Sequence, residues 1–142
     1  MQKTDAGELL AAHEIRPSHQ RVRILQYLQG TRSHPTCEEI YAALVGELPT
    51  LSRTTVYNTV ELFARAQVLQ ELFVDGSGMR YDADTSLHGH FLCKRCGRVT
   101  DFDVKELSVS GLEGCAVEAE YVVFKGICPS CRGENREPEA KQ

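Results

Sequence analysis

Two Cys-x2-Cys pairs constrain this chain more than any other feature of its sequence. Cys93 and Cys96 form the first pair, and Cys128 and Cys131 form the second. Four thiolates in two such pairs are typical of a closed tetrahedral zinc site, with Zn–S distances of about 2.3 Å and no open coordination position. The spacing therefore predicts a structural Zn2+ ion that ties together two distant stretches of the chain.

The same pairs are also compatible with redox dithiols or disulfides. The sequence shows no signal peptide and no transmembrane run, so we expect a cytoplasmic protein with no membrane partner, in a reducing compartment that disfavours disulfides. Zinc is the interpretation we favour. For Cys37 and Cys115, which lie outside the pairs, we expect the structural role of small apolar residues.

A second set of possible ligands flanks the first cysteine pair. His88 and His90 precede it, and Asp101 follows it. Two imidazoles and a carboxylate suit iron, manganese or zinc in an exchangeable site. A His-x-His pair alone is weak evidence, because alternate residues of a strand share a face whatever their purpose. Together the two sets predict a regulatory metal beside a structural one.

Length and charge limit the architecture and the partners. A chain of 142 residues with 42% hydrophobic and 25% charged residues forms one domain or two small lobes. Each lobe would have a thin core, so a structural metal and oligomerisation would both help it fold. A net charge of −4 argues against sequence-blind coating of nucleic acid, but it leaves room for a local DNA-binding patch.

The first half of the chain predicts helices followed by a hairpin. Thr36 and Glu39 match a capping box, and Ser52 is placed to cap a further helix. The helices are predicted over residues 4–15, over residues 19–29, from Thr36, and from Ser52 to about residue 66. An apolar strand over 68–74, a turn over 75–78 and a return strand over 79–82 complete a winged helix-turn-helix.

The fourth predicted helix has two different faces. At 100° per residue, one side carries Val56, Thr59, Val60 and Phe63. The opposite side carries Thr54, Tyr57, Asn58, Glu61 and Arg65, with Arg53 at the border. A hydroxyl, an aromatic ring, an amide and a guanidinium can reach base edges and phosphates in a major groove. A plain solvated surface is the alternative, but it would typically be rich in Glu and Lys, so we favour a recognition helix.

The pattern of the second half predicts one further helix and one further strand. A polar hinge is expected near residues 83–87, then a helix over 104–114 and a strand over 117–127. That strand is apolar on both faces, as in a covered or dimeric sheet. The tail from about residue 133 is charged, and we expect it to be disordered.

Several motifs occur in an order that resembles the ferric-uptake-regulator (Fur) superfamily of bacterial metal-dependent transcriptional repressors. Besides the cysteine pairs, the matching stretches are Arg16–Arg21, His34–Tyr41, Ser52–Asn58, Arg80–Asp82, His88–His90 and Asp101–Phe102. The resemblance implies an α+β fold. It comprises a winged-helix DNA-binding domain over residues 1–83 and a metal-binding α/β dimerisation domain, with the four-cysteine zinc site, over residues 84–142.

The resemblance also implies partners and site residues. A homodimer would bind an A·T-rich inverted repeat in double-stranded DNA when Fe2+ or Mn2+ closes the hinge. The implied ligands of that regulatory metal are His34, Asp82, His88, His90 and Asp101. The predicted DNA-contacting residues are Arg16, Arg21, Ser52, Arg53, Thr54, Thr55, Tyr57 and Asn58.

Aspartate at both carboxylate positions, Asp82 and Asp101, resembles the peroxide-responsive (PerR-like) branch, because the iron-responsive branch more often has glutamate there. The resemblance then implies oxidation of His34 or His88. Iron-responsive and zinc-responsive repression remain the alternatives. Many relatives have a further histidine ligand on the last strand, where this chain has Glu120, so the resemblance does not extend to the metal site that this histidine serves.

Two other functional classes fit the residues less well. A zinc enzyme would need a general base or nucleophile beside the metal, and the nearby candidates, Glu106 and Glu120, lie in no supporting motif. A dithiol redox protein would leave the polar face of the fourth helix unexplained. The chain is therefore predicted to be a DNA-binding regulator and not an enzyme.

Overall fold

A computed structural model describes residues 4–73, 78–118 and 120–134 of the chain. The chain divides into two units, Met1–Ser86 and Leu87–Gln142, which we call the N-terminal unit and the C-terminal unit. Helices dominate the first and a small sheet dominates the second, which confirms the predicted α+β class. No helix within the described residues has the length and apolar character needed to cross a membrane.

The helices of the N-terminal unit begin at side chains that cap them. They are α1 (Ala6–Ala12), α2 (His19–Gly30), α3 (Cys37–Leu44) and α4 (Arg53–Arg65). Ser18, Thr36 and Ser52 each accept a hydrogen bond from a backbone N–H of the first turn, and the capping box of Thr36 and Glu39 is complete. Helix α1 is shorter than predicted, since it ends at Ala12 and Glu14 adopts a left-handed φ of 61°.

One apolar core holds these helices together. The four residues predicted for the inner face of α4 are all buried there: Val56, Thr59, Val60 and Phe63. They face fully buried residues of the other three helices, which include Leu10, Ile24, Leu25 and Ile40. Burial of one such side chain stabilises a fold by about 1.5–3 kcal/mol, so this core fixes the orientation of the exposed face of α4.

The predicted hairpin forms with shorter strands. Strand β1 (Gln70–Leu72) pairs antiparallel with β2 (Arg80–Asp82), and Gln70 lies opposite Asp82. Val68 and Leu69 were predicted to be part of the first strand, but they instead pack into the helical core. Most of the predicted turn, residues 75–77, lies outside the described residues. The three helices α2 to α4 and this hairpin have the element order of the predicted winged helix.

The C-terminal unit contains a three-stranded sheet in the order β4-β3-β5. Strand β3 (Gly89–Cys93) pairs antiparallel with β4 (Val99–Phe102) and parallel with β5 (Val122–Gly126). Parallel strands end at the same edge of a sheet, and here Cys93 lies opposite Gly126. The short helix α5 (Pro129–Glu134) begins just beyond that edge, so the topology brings the second cysteine pair to the first.

Three predictions for the second half need correction. The helix predicted over 104–114 is wrong, because residues 103–118 are irregular. Gly111 and Gly114 adopt left-handed φ angles of 94° and 86°, and Leu107 and Val109 are exposed, so a helix here would have no apolar face buried against the unit. The last strand is confined to β5. Gly133 belongs to α5 although a disordered tail was predicted from it; residues 135–142 lie outside the described residues.

Candidate metal centres and nucleic-acid interface

The four paired cysteines converge in the C-terminal unit. Their sulfur atoms all lie within 4.8 Å of one another, and the Sγ atoms of Cys96 and Cys128 are 3.8 Å apart. A tetrahedral ion with Zn–S bonds of about 2.3 Å places its sulfurs about 3.8 Å apart. All six cysteines are free thiols, so the disulfide alternative finds no support here. The donor set and its spacing fit Zn2+.

Backbone N–H groups stabilise the thiolate form of one of these cysteines. The Cys93 sulfur accepts hydrogen bonds from two backbone N–H groups, with N–Sγ distances of 3.4 Å for Cys96 and 3.3 Å for Cys128. Burial alone would raise its pKa, but these donors outweigh burial and lower the pKa to about 6. At Cys131, burial and the neighbouring thiols raise the pKa to about 12. The backbone therefore favours the thiolate of Cys93, and a divalent cation would compensate the charge of a Cys131 thiolate.

A histidine and carboxylate cluster lies on the same sheet. His90 is in β3 opposite Asp101 in β4, and His88 directly precedes β3. The ring centroids of the two histidines are 4.5 Å apart. The Asp101 Oδ1 atom lies 3.8 Å from Nε2 of His88 and 3.6 Å from Nε2 of His90. The three predicted ligands of this unit therefore share one side of the sheet.

Gly89 has a packing role between these two histidines. It lies opposite Phe102 in the β3–β4 register, and a Cβ atom at position 89 would overlap the Phe102 ring. A side chain there would force the strands apart or displace the ring. The glycine of the His-Gly-His motif thus allows the close strand pairing that places both imidazoles beside Asp101.

The other two predicted ligands lie together in the N-terminal unit. Nε2 of His34 is 3.3 Å from Oδ2 of Asp82, and their side chains are only 2% and 11% exposed. His34 has a left-handed φ of 55°, which is uncommon for a residue other than glycine. Arg80 donates from Nη1 to the His34 carbonyl at 3.2 Å, and the Tyr81 N–H donates to the Pro35 carbonyl at 3.0 Å. Strand β2 thereby holds the strained loop in place.

The sequence had not indicated Arg80 as a site residue, although it belongs to the Arg80–Asp82 motif. Imidazole nitrogens and carboxylate oxygens suit Fe2+, Mn2+ and Zn2+ alike, so both clusters fit the ions that the resemblance implies.

Cys37 is buried at the start of α3, where burial raises the pKa of its thiol despite a hydrogen bond with Tyr81. Cys115 and Glu120 are exposed.

The predicted DNA-contacting residues have different surroundings. The Ser52 hydroxyl caps α4: it accepts a hydrogen bond from the backbone N–H of Thr55 and donates one to the Thr55 hydroxyl. Thr55 is half-buried. The side chains of Arg53, Thr54, Tyr57 and Asn58 are exposed on one face of α4. Arg16 lies ahead of α2, and its carbonyl accepts a hydrogen bond from Arg21. Arg21, Thr55 and Asn58 also line one cleft of about 200 Å³, together with Ser18, Gln20 and Thr59.

Known proteins provide an independent comparison. The model of the ferric uptake regulator family matches residues 12–120. The peroxide operon regulator of Bacillus subtilis (strain 168) is 34% identical over an alignment of 132 positions, which covers 89% of this chain and 91% of that protein.

Solved structures of similar fold include two regulators. The Helicobacter pylori ferric uptake regulator superposes with a TM-score of 0.68 at 20% identity, covering 92% of this chain and 89% of that one. The peroxide-sensing PerR of Streptococcus pyogenes superposes with a TM-score of 0.52 at 28% identity, covering 92% and 95%. The first likeness concerns the fold alone, whereas the second extends to the sequence.

Proposed function

Because this chain belongs to the ferric uptake regulator family of metal-dependent transcriptional repressors, we propose that it releases its operator in response to peroxide. Members of the family are transcription regulators and not enzymes, as the sequence predicted. The observation that carries the proposal is the carboxylate at each histidine cluster. Both are aspartates, Asp82 beside His34 and Asp101 beside His88 and His90. The 34% identity to a peroxide operon regulator supports it.

We assign the regulatory Fe2+ or Mn2+ to five ligands that come from both units. They are His34 and Asp82 from the N-terminal unit, and His88, His90 and Asp101 from the C-terminal unit. An ion with ligands on both sides of a joint binds best when the two units adopt one arrangement, so its binding energy shifts the population towards that arrangement. DNA binding by that arrangement makes repression depend on the metal.

Structural Zn2+ would be held by Cys93, Cys96, Cys128 and Cys131. The spacing of their sulfurs and the backbone donors to Cys93 support this assignment. The site is closed, since all four positions of a tetrahedral ion are filled by thiolates. Its role is to stabilise the C-terminal unit and, through that unit, the dimer.

The DNA target we propose is an A·T-rich inverted repeat in double-stranded DNA, bound by a homodimer in the cytoplasm. The two-fold symmetry of a dimer matches the symmetry of an inverted repeat. Helix α4 would enter the major groove with Arg53 and Tyr57 towards the bases. Arg16 would enter the narrow minor groove of the A·T-rich segment, where the negative potential is strongest. Exposed apolar residues of the C-terminal unit, such as Phe124 at 58% exposure, would be covered by the second copy.

The response to peroxide would depend on His34 and His88. Bound Fe2+ would supply the one-electron chemistry that activates peroxide, and Mn2+ would not. The aspartates reach less far than glutamates by one methylene, which leaves space for peroxide beside the histidines. An imidazole that gains an oxygen atom is a poorer nitrogen donor, so the two units would no longer be held in the arrangement that binds DNA.

The test compares iron-loaded and manganese-loaded protein before and after peroxide treatment. We expect the iron-loaded protein to release DNA and either His34 or His88 to gain the mass of one oxygen atom, while the manganese-loaded protein keeps its DNA. Asp101→Glu should retain metal-dependent DNA binding and lose much of the peroxide response. If the iron-loaded protein stays on DNA with both histidines unmodified, peroxide sensing is excluded and a metal-responsive repressor is the better interpretation.

A further inference from the structure

Arg53, the first residue of α4, contacts two side chains of α3 that the sequence did not suggest as its partners. A positive charge at a helix N-terminus faces the positive end of the helix dipole, and the first turn of α4 contains no acidic residue. Helix α3 supplies the compensation. The Arg53 Nε group lies 3.1 Å and 3.0 Å from the two carboxylate oxygens of Glu38, and the guanidinium carbon lies 4.5 Å from the centre of the Tyr41 ring.

The two partners act on different parts of the guanidinium. Glu38 and Tyr41 are three residues apart on α3, so they share one face of that helix. Glu38 binds the Nε edge, and Tyr41 supports the flat face by a cation–π contact. In the described parts of the chain, the terminal amino groups Nη1 and Nη2 have no hydrogen-bond partner, and 61% of the side chain is exposed. The edge that remains available contains the donors a bidentate contact to guanine can use.

The stability of the fold does not explain this arrangement. The side chains of Glu38 and Arg53 are 58% and 61% exposed, and ion pairs at such exposure contribute little to folding. An acidic residue beside a DNA-binding face also repels phosphates. A role in recognition explains why an exposed ion pair is present here and why it includes an acidic residue beside the DNA-binding face. The first residues of a recognition helix are those that contact base edges.

We propose that Glu38 and Tyr41 are positioning residues for sequence specificity, which hold Arg53 so that Nη1 and Nη2 face the major-groove edge of a guanine in the operator. The inference rests on the proposed DNA-binding function. Restricting a long, flexible side chain before binding lowers the entropy cost of the contact. The negative charge of Glu38 weakens binding to all DNA, so the gain is in preference for the operator and not in overall affinity.

The experiment measures preference directly. Manganese-loaded wild-type protein first selects its preferred duplex from a random DNA pool. The affinity ratio between that duplex and a scrambled duplex is then measured for each variant. Glu38→Gln should lower the ratio roughly fivefold or more, the usual range for a lost base contact, while its affinity for scrambled DNA stays equal or rises.

Glu47→Gln is the matched control. Glu47 forms an ion pair with Arg23, with Nε 2.7 Å from the carboxylate, so this change removes the same charge from a pair that does not involve α4. Its ratio should equal that of the wild type. Tyr41→Phe keeps the aromatic ring and should keep the ratio, whereas Tyr41→Leu should lower it.

Arg53→Ala separates positioning by Glu38 from an independent effect. It should lower the ratio by itself, and Glu38→Gln in the Arg53→Ala background should lower it no further. A second fall in that background would overturn the proposal. So would an equal loss of affinity for both duplexes in Arg53→Ala, which would indicate a phosphate contact.

Two further outcomes distinguish failure of this inference from failure of the proposed function. If Glu38→Gln binds both duplexes more tightly by the same factor, or leaves the ratio unchanged, Glu38 is not a positioning residue although the chain still binds an operator. If the wild-type protein selects no preferred duplex, the proposed function fails and this inference fails with it.

Discussion

The two units of the chain are stabilised in different ways. The N-terminal unit has a continuous apolar core to which all four helices contribute, including Leu10 and Phe63 with no measurable exposure. In the C-terminal unit, the described cluster around the cysteines consists of Cys93, Cys128 and Cys131, with Phe91 and Ile127 packed against it. This unit also buries Leu92 and Val99, but thiols form the centre of the cluster, where leucines and phenylalanines pack in the first unit.

This difference predicts which unit would depend on a metal. Burial of apolar area is enough to stabilise a helical unit of this kind. A small sheet packed around thiols gains much less from burial, and small units usually need a metal, a disulfide or a partner chain to fold. We therefore expect the C-terminal unit to respond to loss of zinc and the N-terminal unit to respond to loss of apolar volume.

The largest effect is expected for Cys96→Ser. Removal of one ligand would open the proposed closed zinc site, and such sites contribute about 10 kcal/mol or more to folding. The variant should lose its tightly held zinc and its dimer, and amide hydrogen exchange should accelerate in β3 to β5 while α2 to α4 remain protected. Cys115→Ser, at an exposed cysteine outside the cluster, is the control and should keep its zinc. A Cys96→Ser protein that retained zinc and bound DNA normally would remove the distinction between the units.

Phe63→Ala should have the converse effect. The Phe63 ring is fully buried in the helical core, so its truncation should cost about 3–5 kcal/mol of unfolding free energy in the N-terminal unit. Zinc content should not change. Urea unfolding followed by circular dichroism measures the loss, and Phe73→Ala, at a side chain with 63% exposure, should be nearly neutral. Loss of zinc from Phe63→Ala would show that the two units do not fold independently.

Gly89→Ala should have an intermediate effect, confined to the C-terminal unit. The added methyl group overlaps the Phe102 ring, and overpacking of this kind typically costs about 1–3 kcal/mol. Because the glycine lies between His88 and His90, Mn2+ binding should weaken as well, which a metal titration can measure. Phe102→Leu in the same protein should restore part of the binding. If the melting temperature and the Mn2+ affinity were both unchanged, the Phe102 ring would move aside without loss of stability.

The smallest effect on stability is expected for Tyr57→Ala. Tyr57 is 53% exposed, so the unfolding free energy should change by no more than about 0.5 kcal/mol. Sequence preference should relax, by about 1–3 kcal/mol for a good base contact. Competition between selected and scrambled duplexes measures the preference. If Tyr57→Ala altered neither affinity nor preference, another face of the unit would have to read the DNA.

Local patterns in the sequence were sufficient for helices α2 to α4 of the N-terminal unit. The buried face of α4, the Ser52 cap and the capping box of Thr36 and Glu39 were all predicted, because helix periodicity and capping depend on residues close together in the chain. The predicted helix over 104–114 failed because its apolar residues find no surface to cover within the described unit. Periodicity indicates which residues would share a face, but not whether anything packs against it.

The sequence by itself determined which chemical groups this protein offers: four paired thiols that suit a closed zinc site, imidazoles and aspartates that suit an exchangeable metal, and a polar face on one helix. Only the tertiary structure decided how those groups meet. The parallel pairing of β3 with β5 brings the two cysteine pairs together, and the packing of α3 beside α4 gives Arg53 its partners Glu38 and Tyr41. The physical reason is that ligand type and helix periodicity are local properties of the chain. Contacts between distant segments depend on which surfaces the whole fold buries against each other.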